Sequence, residues 1–319
     1  MPEPRAREVV VRAPAKINLH LGVGGVREDG FHPLATVYQA IALFSTVTVV
    51  PADQWAVTCR AEPGIAVDQV PLGPTNLALR AARLLAERHG IEKPVAIHLD
   101  KGIPVAGGLA GGSADAAATL LACAHLWGLP TDDLAGLAAE LGSDVPFGLV
   151  GGTASGLGRG EVIAPLVDNG EHHWVLLTFE DGLSTPAVYA EFDALHDGLE
   201  VPEPVIPDAL VSALASGSST ALGGVLGNDL QEAALSLRPA LDDVLRAGRE
   251  AGALAGLVSG SGPTCLFLAR DMAHRVELAD RLAGGVAGAK VLTAHGPVPG
   301  ATVVGLTLLD GTTTDGRVE

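Results

Sequence analysis

The 319-residue chain is poor in cysteine and in positive charge. Cys59, Cys123 and Cys265 are odd in number, far apart and free of any CxxC pairing, which excludes a disulfide framework and a thiolate zinc site and fits reduced, buried thiols. Lysine and arginine number 20 against 37 aspartates and glutamates, a formal charge of −17. A general field that attracts nucleic acid or an anionic membrane is therefore excluded, and any phosphate has to be met by groups placed locally. The long uncharged run Pro33 to Ala52 contains Thr36, Gln39, Ser45, Thr46 and Thr48 and alternates like strands, so it is no membrane helix. The first residues, Met1-Pro2-Glu3-Pro4-Arg5, carry no apolar signal core, and a cytoplasmic location is expected. Neither GxxxxGK[ST] nor a GxGxxG in a Rossmann context occurs, so the two commonest nucleotide-binding folds are not signalled.

What is present is apolar and glycine-rich. A hydrophobic content of 48% excludes disorder, and the length exceeds what one core usually supports. Two domains are expected, over residues 1–166 and 167–310, with a disordered tail over 311–319. Strands are predicted at Val9–Arg12, Ile17–Val23, Val47–Val50 and Val95–Leu99, and helices at Thr75–His89 and Ser113–Trp127, with Thr131 capping another that runs to Leu141. The second unit shows a strand at Trp174–Phe179, helices between Glu200 and Ser219 and over Pro239–Gly252, a strand at Cys265–Ala269, a helix at Asp271–Leu282 and closing strands near Val291 and Val303. The mixture lacks a regular βαβ rhythm and reads as α+β.

Between the strand at Val95–Leu99 and the helix at Ser113 lies Pro104-Val105-Ala106-Gly107-Gly108-Leu109-Ala110-Gly111-Gly112-Ser113-Ala114-Asp115. Four glycines leave the backbone uncovered, so successive N–H groups can reach an anion, and the following helix adds its positive end. Charge-assisted hydrogen bonds contribute about 1.5–3 kcal/mol each, against about 0.3–2 kcal/mol for a helix dipole. The N–H groups dominate, and the loop is a phosphate cradle. Three further segments flank it: Ala13-Pro14-Ala15-Lys16-Ile17-Asn18-Leu19 followed by Arg27-Glu28-Asp29-Gly30-Phe31-His32, then Leu141-Gly142-Ser143-Asp144-Val145-Pro146-Phe147, and Ser259-Gly260-Ser261-Gly262-Pro263-Thr264. On a strand Lys16 and Asn18 face the same side.

This ordered set resembles the GHMP kinases over roughly Ala13 to Ala269. The resemblance implies a two-domain α+β kinase fold with the active site in the cleft between domains, and ATP bound along Pro104 to Ala114. It implies Mg²⁺ with the ATP, with no protein ligand identified. Carried over by position, Asp144 is the general base and Lys16 stabilises its charge and that of the transferring group. Asn18 stands near the acceptor hydroxyl. Phe31, His32, Thr185, Tyr189, Gly260, Ser261 and Gly262 bind the acceptor, which the Asp-Gly-Phe-His segment marks as a small molecule with a cytidine diphosphate group. Phe31, where relatives commonly carry tyrosine, and Tyr189 stack on the base, and His32 reads its polar edge. No nucleic acid, membrane or obligate protein partner is implied. Ala114 replaces a serine common in relatives, Ser45 replaces an acid, and Asp115 and Asn228 read as helix caps. The alternatives are a kinase of the homoserine or mevalonate type, or a catalytically silent nucleotide-binding relative.

Overall fold

The chain was analysed as a computed structural model, which describes residues 6–62, 65, 67–105, 107–308 and 313–315. Two long strands organise the first half: β1 (Ala6–Val23) and β2 (Leu34–Pro51). Each swallows what the sequence divides into shorter strands. They pair antiparallel from Val9–Val49 to Val23–Leu34, with register shifts at Pro14/Ala15 and Asn18/His20. Such irregularities re-aim side chains, and these two frame Lys16 and Asn18, which sit opposite Ala40 and Tyr38.

The chain continues through β3 (Ala56–Ala61), α1 (Leu77–Arg88), β4 (Val95–Lys101), α2 (Gly111–Trp127), α3 (Leu134–Leu141), α4 (Val145–Val150), β5 (Thr153–Gly158) and β6 (Val162–Pro165). Asn76 caps α1 by accepting from the Leu79 N–H at 3.1 Å. Thr131 does not cap α3, which starts after Asp133. The buried helix α2 carries six alanines over seventeen residues, and this small surface lets it lie on both β1 and β2 and against α1 and α4. A β-carbon on Gly148 of α4 would stand 2.8 Å from that of Ala117, which fixes how closely α4 approaches.

The second half comprises β7 (His172–Phe179), α5 (Thr185–Leu195), α6 (Asp208–Ser216), α7 (Ser219–Gly223), β8 (Gly227–Asn228), α8 (Gln231–Leu237), α9 (Ala240–Glu250), β9 (Ala255–Val258), β10 (Cys265–Ala269), α10 (Met272–Leu282), β11 (Ala289–Gly296), β12 (Thr302–Leu308) and β13 (Thr313–Asp315). A four-stranded sheet runs β11-β7-β10-β9. The other sheet runs β13-β12-β1-β2-β4-β3, with β5 also on β2, β6 beyond β5, and β8 parallel to β1. Sequence order assigns the strand near Val303 to the second unit. Instead β12 crosses back to pair antiparallel with β1, where it covers an edge that would otherwise be open. Residues 313–315, expected in a structureless tail, extend that edge as β13. The remainder of that tail lies outside the described residues.

A buried polar network ties the halves together. The Asp168 carboxylate accepts from Gln39 Nε2 (2.9 Å) and Thr153 Oγ1 (2.6 Å) of the first sheet. It also accepts from the Gly170 N–H (3.1 Å) and His172 Nε2 (3.0 Å). Gln39 Oε1 in turn accepts from Trp174 Nε1 on β7 at 2.9 Å. Burial alone would raise the Asp168 pKa, but the hydrogen bonds from His172, Thr153 and Gly170 outweigh it and hold the carboxyl below the ordinary range. A depressed folded-state pKa contributes stability above the unfolded value of about 4 and loses it as pH falls through the lower folded value. Asp168→Ala leaves four donors without an acceptor and is expected to cost about 3–5 kcal/mol. Denaturation midpoints should show that loss at neutral pH, and the wild-type and variant curves should converge on acidification.

Candidate active site

A cleft of about 940 Å³ opens where these elements meet. At its centre Lys16 Nζ stands 3.6 Å from Asp144 Oδ2, with the lysine side chain 10% and the aspartate side chain 31% exposed. Lys16 Nζ donates to Asn18 Oδ1 at 2.8 Å, Asn18 Nδ2 to Thr36 Oγ1 at 2.8 Å, and Thr36 Oγ1 to the His20 carbonyl at 2.6 Å. Both ends of the Asn18 amide are thus engaged by protein, and the residue acts on the lysine by fixing where the ammonium sits. Asp144 precedes α4 without using its carboxylate as a cap. Its side chain lines the cleft beside the ammonium.

On one side of this pair lies the glycine loop. Pro104, Val105, Gly107, Gly108, Ala110, Gly111, Gly112 and Ser113 line the cleft, whereas Leu109 and Ala114 are turned into the core. Leu109 contributes through its carbonyl, which accepts the Lys16 N–H at 3.2 Å. Ala106 lies outside the described residues. The helix begins at Gly111, two residues earlier than the sequence suggests, with no side-chain cap, so its first N–H groups are free to meet an anion. Beyond the loop, Val70, Pro71, Leu77 and Ala78 form an apolar wall of the kind that accepts a planar base.

The glycines have individual reasons to be there. A β-carbon on Gly108 would stand 2.5 Å from the Ser259 carbonyl oxygen, and its φ of +72° is left-handed. One on Gly111 would meet Ile103 at 3.2 Å and Lys101 Nζ at 3.3 Å. Asp115 is no helix cap. Its carboxylate accepts from Lys101 Nζ at 2.7 Å, and the same ammonium donates to the Gly111 carbonyl at 3.0 Å. The pair is almost wholly buried, at 3% and 6% side-chain exposure, and joins the end of β4 to the first turn of α2 across the loop. Desolvation raises the Asp115 pKa despite the ammonium beside it.

On the other side lies the acceptor half. His32 donates Nδ1–H to the Gly24 carbonyl at 2.8 Å, which leaves Nε2, 3.5 Å from Asp193 Oδ2, on the cleft side. Its ring lies 5.0 Å from that of Tyr189, tilted by 31°. His32 thus faces Tyr189 directly, while Phe31, 49% exposed, lies under the Arg159 guanidinium at 4.9 Å. Thr185 Oγ1 and Ser261 Oγ share a hydrogen bond of 2.8 Å. Gly260 reaches the cleft, and Gly262 does not line it. Asn228, read from sequence as a helix cap, does accept from the Leu230 N–H, but its amide also donates to the Val258 and Gly260 carbonyls, each at 2.8 Å. It holds the Gly260 turn from behind, and no pattern in the sequence points to that.

The residues missed from sequence are Lys101, Arg159 and Tyr38, all on the cleft wall. The first two carry charge beside known segments and could have been found; Tyr38 sits inside a strand that reads as core. Among the described residues no three His, Cys, Asp or Glu side chains cluster to hold a metal ion.

Family models match twice: GHMP kinases N terminal domain over residues 76–152 and GHMP kinases C terminal over residues 210–287. A protein of Streptomyces avermitilis named 4-diphosphocytidyl-2-C-methyl-D-erythritol kinase is 54% identical over 298 residues, 93% of this chain and 99% of that one. A Thermobifida fusca protein of the same name is 54% identical over 303 residues, covering 93% and 98%. Among solved structures, 4-(cytidine 5'-diphospho)-2C-methyl-D-erythritol kinase superposes with a TM-score of 0.71 at 35% identity, covering 91% of this chain and 99% of that one. The mevalonate kinase of L. major reaches a TM-score of 0.70 at 16% identity over 94% and 99%, a likeness of fold alone.

Lys101→Met strands a buried carboxylate and is expected to destabilise the protein by about 3–5 kcal/mol. The double substitution Lys101→Met with Asp115→Leu should recover part of that loss in chemical denaturation. Equal midpoints for the single variant and the wild type would show that the pair is not a structural tie.

Proposed function

The chain belongs to the GHMP kinase family, and from that premise we infer that it transfers phosphate from ATP to the 2-hydroxyl of 4-diphosphocytidyl-2-C-methyl-D-erythritol. The products are the 2-phosphate and ADP, a step of isoprenoid precursor biosynthesis. The observation that carries this reading is the Lys16–Asp144 pair at the junction of a phosphate-binding loop and a pocket walled by His32, Tyr189 and Phe31. A homoserine or mevalonate site has no base to stack, and its relatives here share only the fold at 16–19% identity.

Phosphoryl transfer asks for in-line positioning, charge stabilisation and a group to accept the attacking hydroxyl's proton. Asp144, ionised and open to the cleft, takes that proton, and Lys16 offsets charge on the transferring group. The N–H groups at the start of α2 hold the ATP phosphates, and Ser113 offers a hydroxyl there. Mg²⁺ accompanies the nucleotide, held chiefly by phosphate and water oxygens. His32 Nε2 and the neighbouring rings meet the cytosine; Thr185, Gly260 and Ser261 meet the diphosphate. A division at residue 166 then marks off the nucleotide half from the segment that completes the acceptor half, apart from β12 and β13, which return to the first sheet. A cytoplasmic setting without membrane or nucleic-acid partners belongs to the same reading, and no helix among the described residues is long and apolar enough to cross a membrane.

Asp144→Asn should lower the rate of ADP release with this substrate by about 10²–10⁴-fold while leaving the melting temperature near that of the wild type. Wild-type turnover in the variant, or turnover of homoserine or mevalonate in place of the cytidine substrate, would overturn the assignment.

A further inference from the structure

One carboxylate on the cleft wall has neither a lysine beside it nor a step in the transfer. Asp193 lines the cleft with its side chain 45% exposed, and among the described residues its one ion-pair contact is His32 Nε2 at 3.5 Å. Asp144 and Asp115, by contrast, each face a lysine. A negative charge without such a partner weakens the binding of polyanions in the same cleft, unless the ligand brings a donor to it. Both members of the contact are held by the protein. His32 donates Nδ1–H to the Gly24 carbonyl at 2.8 Å, and the Phe192 ring packs edge-on against it at 6.0 Å. Phe192 is buried and fixes the register of α5. Tyr189 and Asp193, four residues apart on that helix, therefore project from one face, and both line the cleft. Asp193 thus stands one turn beyond the Tyr189 ring and beside the second ring nitrogen of His32, where the base of the acceptor is to lie.

We propose that Asp193 is a specificity-determining residue: its carboxylate accepts a hydrogen bond from the exocyclic 4-amino group of cytosine and so selects a cytidine acceptor over a uridine one. The inference rests on the cytidine reading of the acceptor half. An ionised carboxylate can only accept, and cytosine presents an N–H₂ donor where uracil presents a carbonyl oxygen. Cytosine gains a charge-assisted hydrogen bond there. Uracil would press an oxygen lone pair on a negative charge. His32 alone does not separate the two bases, because an imidazole nitrogen can serve as donor or as acceptor. The aspartate beside it removes that ambiguity. Its partial exposure keeps the discrimination below that of a closed site, since water can still reach a carboxylate that finds no donor.

Calorimetric titration of the full chain with CDP and with UDP reads this selectivity without turnover. The wild type should bind CDP about 10–100-fold more tightly than UDP, the range for one good contact to a base edge. Asp193→Asn, whose amide can offer its oxygen to the amine or its nitrogen to the carbonyl, should bring the two affinities close to parity. Asp193→Ala should weaken CDP and leave UDP unchanged or tighter. Both variants should melt near the wild type, because the side chain is half exposed. A CDP-to-UDP ratio unchanged in Asp193→Asn overturns the proposal. So does an equal loss for both nucleotides, which would put the carboxylate on the ribose they share. Failure of the kinase reading looks different: a wild type that prefers CDP, loses the preference in Asp193→Asn and yet transfers no phosphate from ATP to the cytidine substrate keeps Asp193 as the reader of the base and removes the assigned reaction.

Discussion

Everything in the cleft depends on one backbone-to-backbone approach. The glycine loop and the turn after Val258 touch at Gly108 and Ser259, so closely that a β-carbon on Gly108 would press on the Ser259 carbonyl. A left-handed φ at the same residue makes the position doubly selective for glycine. The contact sets the nucleotide half against the acceptor half. It also brings Gly260 beside Lys16, since a β-carbon there would stand 3.4 Å from Asn18 Oδ1 and 3.8 Å from Lys16 Nζ. Asn228 from behind, and the Asp168 network farther along the interface, keep the two halves in that relation. The geometry is therefore built into the fold before any ligand arrives.

The electrostatics follow the same economy. An acidic chain that binds polyanions cannot rely on its overall field, and here each cleft cation is matched: Lys16 with Asp144, Lys101 with Asp115, Arg159 with Glu161. These pairs differ in what they do. The Lys101 pair is desolvated and binds loop to helix, while the Lys16 pair is open on one side, where a phosphate and a hydroxyl can approach. Partial exposure leaves Asp144 accessible from the cleft, where Asp115 is closed off. The Arg159 pair is solvated, with the guanidinium free to lie over Phe31.

Much of this was legible in the residues. The glycine loop announces itself because glycine runs have few other uses, whereas Lys16 and Asp144 stood out only through the ordered motifs that resemble the family. The two sheets were legible as α+β content but not in their pairing. Alternation shows that a strand has a buried face, not which edge it joins, so β12 could not be placed beside β1 from its own residues. Stacking partners were the least legible. Phe31 and Tyr189 both carry rings, but which ring meets which depends on the turn at Arg27–Gly30 and on where α5 docks, and the structure puts His32 against Tyr189.

In the proposed reaction one cleft holds the ATP phosphates at the head of α2 and presents the acceptor hydroxyl to Asp144. A crystal structure with 4-diphosphocytidyl-2-C-methyl-D-erythritol and a non-hydrolysable ATP analogue tests it directly. The account predicts the 2-hydroxyl within hydrogen-bonding reach of Asp144, the γ-phosphate between it and the glycine loop, and the cytosine against His32 and Tyr189. A hydroxyl turned away from Asp144, or a base bound outside that pocket, would contradict it.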